Sequence, residues 1–427
     1  MIWKTKPCGK VFDGTGYIMG VLNVTPDSFS DGGTHNSYDD ALAFAEKMLA
    51  EGADIIDVGG ESTRPGSAAP TIEEETERVL PVVRELARRG VCVSIDTRHW
   101  EVAQACVEAG VHIINDVSGF RDPKMREVAA ASECGLVVMH MLGEPGTMQD
   151  APRYDDVVAE VKEYLLVQAA KLEALGIEPE RICIDPGPGF GKTFKHNQAL
   201  ISASRELSSC GYPLMVAVSR KSYVGTAAGI GVPADRDAAS ALCAAAAVGH
   251  GALVARVHDV AGTAEAFAKS KRAVVALGSN MGDRRARLDA AVDALRKTPG
   301  IWVYNVSSYV ESEPAYKEDQ AAFANAAAVL QTTLAPQELL DVLHAIENEQ
   351  GRVRHEANGP RTLDLDILDF EGVVSNDEEL VLPHPRILER DFVVTPLLEI
   401  EPGFVLADGT PVTRDVVTYG KVTGLLD

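Results

Sequence analysis

The chain has 427 residues, of which 46% are hydrophobic and 24% are charged, and this composition is typical of a globular protein with two or three domains. Its formal net charge of −23 argues against a nucleic-acid partner, which would need a basic surface. The same charge predicts that any anionic ligand is held by local groups of cationic side chains rather than by the overall field.

We expect neither export nor a membrane-spanning segment. The N-terminal stretch MIWKTKPCGK lacks the apolar core of a signal peptide. The apolar run at 239–257 is mostly alanine and contains His250 and Arg256, so it predicts a buried helix that leads into a strand. The seven cysteines form no CxxC pair, and they predict free buried thiols in a cytoplasmic protein.

In the first 260 residues, short apolar runs alternate with amphipathic or alanine-rich helical segments. Eight such runs lie at 17–24, 54–60, 91–97, 112–118, 136–141, 182–187, 214–220 and 252–260. The alternation predicts parallel βα units, and eight of them within about 250 residues predict a (β/α)₈ TIM barrel. A doubly wound open sheet is the alternative.

Each of the eight runs stays apolar until its C-terminal end and then turns polar. The polar side chains at these ends are Asn23, Glu61, Thr63, Arg64, Asp96, Asn115, His140, Asp185, Ser219, Arg220, Lys221, Arg256 and His258. In a barrel these ends open on one face, where the active sites of this fold lie. A single polar strand end is usually a turn or a helix cap, but eight around one mouth predict a functional site.

A short polar and basic stretch, AKSKRA at 268–273, marks a predicted domain boundary. We therefore assign residues 1–269 to the barrel domain and residues 273–427 to a second domain. The predicted elements of the second domain are a strand at 273–280, a helix with Asp283 at its start, long strands at 301–314 and 323–334, a helix at 336–351 and a strand at 363–370. This βαββαβ order predicts an α+β ferredoxin-like fold.

The last of these strands, in the stretch GPRTLDLDILDF, carries two carboxylates that need an explanation. Asp364 and Asp366 are two positions apart, so a strand places them side by side on one face. Their mutual repulsion must be offset by a shared proton, an arginine or a divalent cation, and an oxygen-only pair suits Mg²⁺. A solvated acidic face is the alternative.

The motifs MGVLNVTPDSFSDGG, DVGGESTRPG, DPGPGFGK, SRKS and RVHDV, in this order, make roughly residues 15–268 similar to dihydropteroate synthase. The resemblance implies an enzyme that joins 4-aminobenzoate to the methylene group of a dihydropterin and releases pyrophosphate. The residue types fit this reaction, because carboxylate and amide side chains such as Asp96, Asn115 and Asp185 suit the donor–acceptor edge of a pterin. Cationic side chains suit the leaving pyrophosphate.

By this resemblance the expected catalytic residues of the barrel are Asp96, Lys221, Arg256 and His258, and Asn23 lies beside one Mg²⁺ ion. The expected substrate-binding residues are Phe29, Thr63, Arg64, Pro65, Asp96, Asn115, Met139, Asp185, Phe190, Ser219 and Lys221. Pro188 replaces an aromatic residue that is common in the family, and we expect it to lower the affinity for 4-aminobenzoate. The alternative is a pterin-binding methyltransferase, which shares the barrel but needs no pyrophosphate clamp.

The motifs ALGSN, GRVR, GPRTLDLDIL, LPHPR and RDFVVTPL make roughly residues 273–405 similar to hydroxymethyldihydropterin pyrophosphokinase. The resemblance implies that Asp364 and Asp366 bind two Mg²⁺ ions between ATP and the substrate hydroxyl, with Arg352 and Arg361 as catalytic residues. The expected ATP-binding residues are Arg352, Arg354, Arg361, His384 and Arg390, and the expected pterin slot is formed by Phe323, Asn325 and Phe392. A ferredoxin-like module without catalytic activity is the alternative.

Two further positions of the second domain carry expectations. Glu347 also has a family counterpart, which implies a structural role. Asn358 stands where relatives often have a tryptophan, so we expect the loop over the pterin ring to close less completely.

The two resemblances support each other, because the product of the kinase is the substrate of the synthase. We therefore expect a bifunctional enzyme that catalyses two consecutive steps of folate synthesis and binds only small-molecule substrates, ATP among them. The synthase resemblance also implies a homodimer through the barrel.

Overall fold

The computed structural model describes residues 1–25, 37–61, 70–144, 146–317, 319–352 and 359–426. The chain divides into two units. We call Met1–Thr226 with Ile230–Ala268 the barrel unit, and Ala227–Gly229 with Lys269–Asp427 the sheet unit. In the described parts of the chain, no helix combines the length and the apolar character that crossing a bilayer requires.

The barrel unit alternates strands and helices as the sequence predicts. Its elements are β1 (Trp3–Thr5), β2 (Lys10–Phe12), β3 (Tyr17–Asn23), α1 (Ser37–Ala50), β4 (Ile55–Gly59), α2 (Ile72–Arg88), β5 (Val93–Asp96), α3 (Trp100–Glu108), β6 (Ile113–Asp116), α4 (Pro123–Ala131), β7 (Gly135–Met139), α5 (Val157–Glu173), β8 (Ile182–Asp185), α6 (Phe194–Ser202), α7 (Ser204–Ser208), β9 (Met215–Val216), α8 (Ser222–Ala228), α9 (Asp237–Gly249), β10 (Val254–Val257) and α10 (Val260–Lys269). Each of the eight predicted runs contains one strand.

Eight of these strands form the barrel. They are parallel and lie in the order β8, β7, β6, β5, β4, β3, β10, β9. A parallel bridge between Ile184 and Leu214 joins the two ends of this order and closes the sheet. The predicted barrel is therefore confirmed, and the open sheet is excluded. Parallel strands covered by helices are buried on both faces, which is why the runs are almost wholly apolar.

The N-terminal hairpin of β1 and β2 is not predicted by the sequence pattern, because each strand has only three residues. Its side chains fill the base of the barrel. Trp3 and Phe12 are 0% and 2% exposed and pack against Ile55, Ile113 and Val254, which are the first residues of their strands. The indole Nε1 of Trp3 also donates to the carbonyl oxygen of Arg181 over 3.0 Å.

The sheet unit is an antiparallel sheet with helices on both faces. Its elements are β11 (Lys271–Ser279), α11 (Arg284–Lys297), β12 (Ile301–Val306), β13 (Val310–Ser312), β14 (Phe323–Thr332), α12 (Pro336–Glu349), β15 (Asp364–Phe370), β16 (Ser375–Asn376), β17 (Val381–Leu382), α13 (Asp391–Ile400) and β18 (Val422–Leu425). The sheet order is β15, β11, β14, β13, β18, and β12 also pairs with β14. The predicted α+β class is confirmed.

Alternation along β11 explains how both faces of this sheet are covered. Val275 and Leu277 point into a core that includes α11 and α12, whereas Val274 points into a second core that includes α13. Because side chains alternate along a strand, one strand contributes to both cores. As predicted, Asp283 caps α11: its Oδ1 accepts from the backbone N–H of Ala286 over 3.0 Å.

The structure divides the long strand predicted at 301–314 into β12 and β13. The division occurs at Ser307, whose backbone N–H and side-chain Oγ both bond to the backbone of Ala327. The Ser307 hydroxyl thus takes the place of a strand residue in the ladder. β12 and β13 then pair with different halves of β14.

Replacing Trp3 by alanine should lower the free energy of unfolding of the barrel unit by about 3–5 kcal/mol, because it empties the base of the barrel and leaves the carbonyl of Arg181 without its donor. The measurement is urea unfolding followed by circular dichroism. The matched control is Val11→Ala on the same hairpin, since Val11 is 48% exposed and should change stability little. Equal stability of the two variants would contradict the assigned role of the hairpin.

Candidate active sites

The C-terminal ends of the barrel strands bring several predicted residues together. Asn23, Asp96 and Asp185 are the last residues of β3, β5 and β8. Gly59 ends the strand between the first two, and a methyl group added there would lie 3.6 Å from Oδ1 of Asn23 and 3.7 Å from Oδ2 of Asp96. A glycine at this position therefore leaves the amide and the carboxylate a common open space.

An arginine shared by two carboxylates lies at the centre of this mouth. Arg256 donates from Nε to Oδ2 of Asp57 over 2.6 Å and from Nη2 to Oδ2 of Asp96 over 2.5 Å. Asn115 donates from Nδ2 to the same oxygen of Asp57 over 3.2 Å. Four side chains from four strands thus form one hydrogen-bonded network.

Burial sets the electrostatics of this network. It raises the pKa of Asp96 to about 7, while Arg256 opposes the shift and Asp57 adds to it. Without the guanidinium, two buried carboxylates would face each other unbalanced. Arg256 therefore stabilises both carboxylates at the mouth.

A second group surrounds the turn that follows β8. Asp185 is buried, and its Oδ1 accepts from the backbone N–H of Gly187 over 2.8 Å. Burial lowers the pKa of Lys221 to about 8, with the charge of Asp185 opposing the shift. The ammonium of Lys221 donates to the carbonyl oxygen of Pro188 and lies 4.7 Å from the ring centre of Phe190. The contact at position 188 uses the backbone, so it does not depend on the residue type there.

Met139, Ser219 and His258 also lie at this end of the barrel. Met139 ends β7 and packs with Phe190 in a small apolar cluster. The hydroxyl of Ser219 accepts from the backbone N–H of His258 over 3.1 Å and lies 3.0 Å from its Nδ1. Arg220, by contrast, forms a bidentate pair with Asp237, with both distances 2.7 Å. Phe29, Thr63, Arg64 and Pro65 lie outside the described residues.

The sheet unit contains a cleft that is open to solvent. Its lining residues include Gly278, Ser312, Tyr316, Phe323, Asn325, Arg361, Asp364, Asp366, Arg390 and Phe392. Asp364 and Asp366 lie on β15 opposite Gly278 and Ala276 of β11. Both carboxylates therefore line one cleft, over small residues that leave it open.

Two arginines hold the first of these carboxylates. Nη1 of Arg352 lies 2.7 Å from Oδ1 of Asp364, and Nη1 of Arg361 lies 2.8 Å from its Oδ2. For Asp366, burial raises the pKa to about 7, and the charge of Asp364 adds to the shift. Arginine thus balances one carboxylate of the pair, while the other still carries a buried charge at a cost.

Glu347 stabilises this arrangement of Arg352 and Asp364. It is 2% exposed, and its Oε1 accepts from the backbone N–H of Leu365 over 2.8 Å and from Nη1 of Arg352. It therefore joins α12 to β15 and orients Arg352 toward the cleft. This contact is consistent with the expected structural role.

The far side of the cleft is aromatic. The guanidinium of Arg361 lies 5.5 Å from the ring centre of Phe323, and that of Arg390 lies 5.7 Å from the ring centre of Phe392. Nδ2 of Asn325 donates to the hydroxyl of Ser312 over 2.8 Å, which fixes the orientation of the amide. Flat rings, a fixed amide and cationic groups suit a flat polar heterocycle next to phosphates.

His384 and Arg354 complete the predicted set. Burial lowers the pKa of His384 to about 4, with Arg390 adding to the shift, so the ring is neutral at pH 7. Its backbone N–H donates to Leu368 over 2.8 Å. Arg354, like Asn358, lies outside the described residues.

Comparison with known protein families agrees with the geometry of the barrel mouth and with that of the sheet-unit cleft. The family described as pterin binding enzyme matches residues 19–258. The chain belongs to this family. A second family, 7,8-dihydro-6-hydroxymethylpterin-pyrophosphokinase, matches residues 274–402. This pterin-binding enzyme therefore joins a dihydropteroate synthase to a pyrophosphokinase, and it catalyses ATP-dependent pyrophosphorylation of a pterin and formation of dihydropteroate in the folate pathway.

The barrel unit has known relatives with high sequence identity. The chain is similar to dihydropteroate synthase of Escherichia coli K12, with 49% identity over 252 residues that cover 59% of this chain and 89% of that protein. Solved structures that the chain resembles include two synthases. One is the Xanthomonas albilineans dihydropteroate synthase with 4-aminobenzoic acid, with a TM-score of 0.59 and 41% identity, covering 62% of this chain and 96% of that chain. The other is the Burkholderia cenocepacia synthase complexed with 7,8-dihydropteroate, with a TM-score of 0.54 and 44% identity, covering 59% and 89%. These similarities favour a dihydropteroate synthase over the predicted alternative, a pterin-binding methyltransferase.

The structure shows two residues near the barrel mouth that the sequence pattern did not single out. Asp57 is one, although a carboxylate inside the apolar run DIIDVGG was a visible signal. Lys192 is another: it is 3% exposed and donates to the carbonyl oxygens of Gly187 and Phe190 over 3.0 and 2.9 Å, with His140 Nδ1 also 2.9 Å away. It holds the turn between Asp185 and Phe190 in place.

Replacing Asp57 by asparagine should lower kcat/KM of dihydropteroate formation roughly 10- to 100-fold, because a charge-assisted hydrogen bond to Arg256 is lost while the shape is kept. The assay supplies pterin pyrophosphate and 4-aminobenzoate. Asp54→Asn is the matched control: Asp54 precedes the same strand at the other end, where it accepts from the backbone N–H of Ile18. A loss of the same size in both variants would contradict a role of Asp57 in the site.

Proposed function

We propose that each activity resides in the cleft of its own unit, with the sheet-unit cleft as the kinase site and the barrel mouth as the synthase site. The observation that carries this proposal is the carboxylate pair at Asp364 and Asp366, which lines an aromatic cleft together with Arg361 and Arg390. Such a cleft suits a nucleoside triphosphate and a pterin. The barrel mouth offers an arginine, a lysine and three amide or carboxylate groups, which suit a pterin pyrophosphate.

In the kinase site, Arg352 and Arg361 are proposed to meet the phosphates of ATP, with Arg354, His384 and Arg390 contributing. Arginine binds phosphate oxygens through paired N–H groups, and two of the arginines here are already oriented by Asp364 and Glu347. The neutral ring of His384 can donate or accept one hydrogen bond without adding charge.

The residues of the kinase site fit the two Mg²⁺ ions implied by the family. Asp364 and Asp366 offer only oxygen atoms, and burial beside Asp364 raises the pKa of Asp366 to about 7, so a hard dication would relieve a charge that the arginines leave partly unbalanced. When bound, these ions would neutralise phosphate charge and align the substrate hydroxyl with the phosphorus.

The pterin of the kinase reaction is proposed to lie between Phe323 and Phe392 with its polar edge at Asn325. Burial of both faces of the ring supplies most of the binding free energy, and the amide supplies selectivity for the edge. The bond from Asn325 to Ser312 orients the amide before the ligand arrives.

In the synthase site, Asp96, Asn115 and Asp185 are proposed to read the pterin edge and Lys221 to meet its carbonyl side. Arg256 and His258 then meet the pyrophosphate. Because Nε and Nη2 of Arg256 donate to the two aspartates, Nη1 is the group that we assign to the leaving anion. Stabilising that anion is the main electrostatic task of the reaction.

Asn23 is proposed as the ligand of a single Mg²⁺ ion in the synthase site. Its amide oxygen and Oδ2 of Asp96 lie 3.6 and 3.7 Å from the point that a Cβ on Gly59 would occupy, so oxygen donors face one space at the mouth. We propose 4-aminobenzoate as the second substrate, which a related synthase binds, with Phe190 and Ser219 near it and Thr63, Arg64 and Pro65 contributing. The homodimer through the barrel and the cytoplasmic location stay predictions.

Asp364→Ala and Asp366→Ala should each abolish AMP formation from ATP and hydroxymethyldihydropterin, because the oxygen ligands for the metal are lost. Both variants should still form dihydropteroate from supplied pterin pyrophosphate. Lys221→Ala is the reciprocal control, which should keep AMP formation and lose dihydropteroate formation. Normal AMP release from both aspartate variants would show that the carboxylate pair is not the kinase site.

A sulfonamide should inhibit dihydropteroate formation in competition with 4-aminobenzoate, because its aniline and anionic group resemble that substrate in shape and charge. The measurement is the inhibition pattern at several concentrations of 4-aminobenzoate, with AMP formation as the internal control. Inhibition that 4-aminobenzoate does not relieve would count against the proposed pocket.

A further inference from the structure

Two cysteines and a histidine meet at the base of the barrel, at the opposite end from the proposed synthase site. Sγ of Cys8 lies 3.6 Å from Sγ of Cys92. A ring nitrogen of His112 lies within 4.8 Å of both sulfur atoms. Cys92 immediately precedes β5, whose other end carries Asp96, so the cluster and the barrel mouth lie at opposite ends of the same strand.

The two thiols differ in access and in acidity. Cys8 is half-buried between the exposed residues Pro7 and Gly9, whereas Cys92 is 1% exposed. The neighbouring thiol of Cys92 lowers the pKa of Cys8 to about 5, although burial opposes the shift. The same contact and burial raise the pKa of Cys92. The accessible cysteine is therefore the more readily ionised thiol of the pair.

The hydrogen bonding of His112 argues for sulfur chemistry rather than a metal site. Its Nδ1 accepts from the backbone N–H of Val93 over 3.0 Å. Burial lowers the pKa of His112, so the ring is neutral at pH 7 and its proton is on Nε2. A nitrogen that carries a proton cannot bind a metal, and the other nitrogen is already occupied. The cluster thus lacks a free histidine ligand.

We propose that Cys8 and Cys92 are an oxidisable pair that a hydroperoxide converts to a disulfide. The thiolate of Cys8 attacks one oxygen of hydrogen peroxide, which breaks the O–O bond, forms the sulfenic acid of Cys8 and releases hydroxide. The sulfur of Cys92 then attacks the sulfur of Cys8 and displaces the second hydroxide. The Cys92 proton and one proton from solvent convert both hydroxides to water, so two electrons pass from two sulfurs to one peroxide.

The disulfide would fasten the N-terminal hairpin to the barrel. To form it, the sulfur atoms must approach by about 1.5 Å, from 3.6 Å to bonding distance. The bond would link residues 84 positions apart, and the hairpin already fills the base through Trp3 and Phe12. Closing so long a segment stabilises the folded state. The bond would form at the N-terminal end of β5, whereas Asp96 lies at the other end of that strand.

The test is peptide mapping of the reduced, full-length protein after brief treatment with hydrogen peroxide and blocking of free thiols with N-ethylmaleimide. We expect the tryptic peptides that contain Cys8 and Cys92 to appear joined, lighter than their sum by two hydrogen atoms. Cys210 is the internal control, because it is also half-buried but burial raises its pKa. It should react about tenfold more slowly.

Two variants keep the proposal falsifiable. Cys92→Ser should leave Cys8 as a sulfenic acid that dimedone traps, and Cys8→Ser should prevent oxidation of Cys92. Oxidation of the unaltered protein should raise the melting temperature of the barrel unit by roughly 5 °C, which dithiothreitol reverses, with dihydropteroate formation unchanged. Oxidation of Cys210 as fast as Cys8, or no joined peptide from folded protein, would overturn the proposal. Retention of one equivalent of added Zn²⁺ that protects both thiols would also overturn it.

Discussion

Arg256, held between Asp57 and Asp96, organises the mouth of the barrel unit. Burial makes each of these carboxylates costly, and the guanidinium offsets that cost only because its planar fork reaches both. In the sheet unit the arrangement is reversed, because one carboxylate, that of Asp364, lies between two arginines, Arg352 and Arg361. In both units a buried ionic group is oriented before any ligand arrives, so that little reorganisation is needed when charge develops.

A further set of contacts holds these groups in position. Lys192 donates to the carbonyl oxygens of Gly187 and Phe190 in the turn after β8 and also contacts His140. Glu347 links Arg352 to the backbone of β15. Neither side chain is exposed enough to meet a substrate directly. Their removal would leave buried acceptors or donors unpaired, which is why positioning and stability are linked at both clefts.

The overall charge and the local charge serve different purposes in this enzyme. ATP and the pterin pyrophosphate are anions, yet the chain carries a net charge of −23. Attraction must therefore be local, and the cationic groups stand in clefts where a low dielectric strengthens each contact. Because one reaction produces the substrate of the other, both sites must bind a pterin. We propose that each does so with amide and carboxylate or aromatic groups suited to the edge and faces of the ring.

Much of the fold and many of the site residues could be predicted from sequence because they depend on local patterns. Alternation of apolar runs and helices predicted eight barrel strands, and the polar ends of those runs predicted Asp96, Asn115 and Asp185 at one mouth. Spacing alone placed Asp364 and Asp366 on one face. These inferences need only the period of a strand and the geometry of parallel units.

Only the tertiary structure decided which of these side chains contact one another. Asp57 and Arg256 are 199 positions apart, and no local pattern indicates that barrel closure brings them within 2.6 Å. The same reason hid the link between Cys8 and Cys92, the hold of Lys192 on the turn after β8, and the plugging of the base by Trp3, whose three-residue strand is too short to show a period. Sequence determines which groups a segment can offer, whereas long-range packing determines which of them meet.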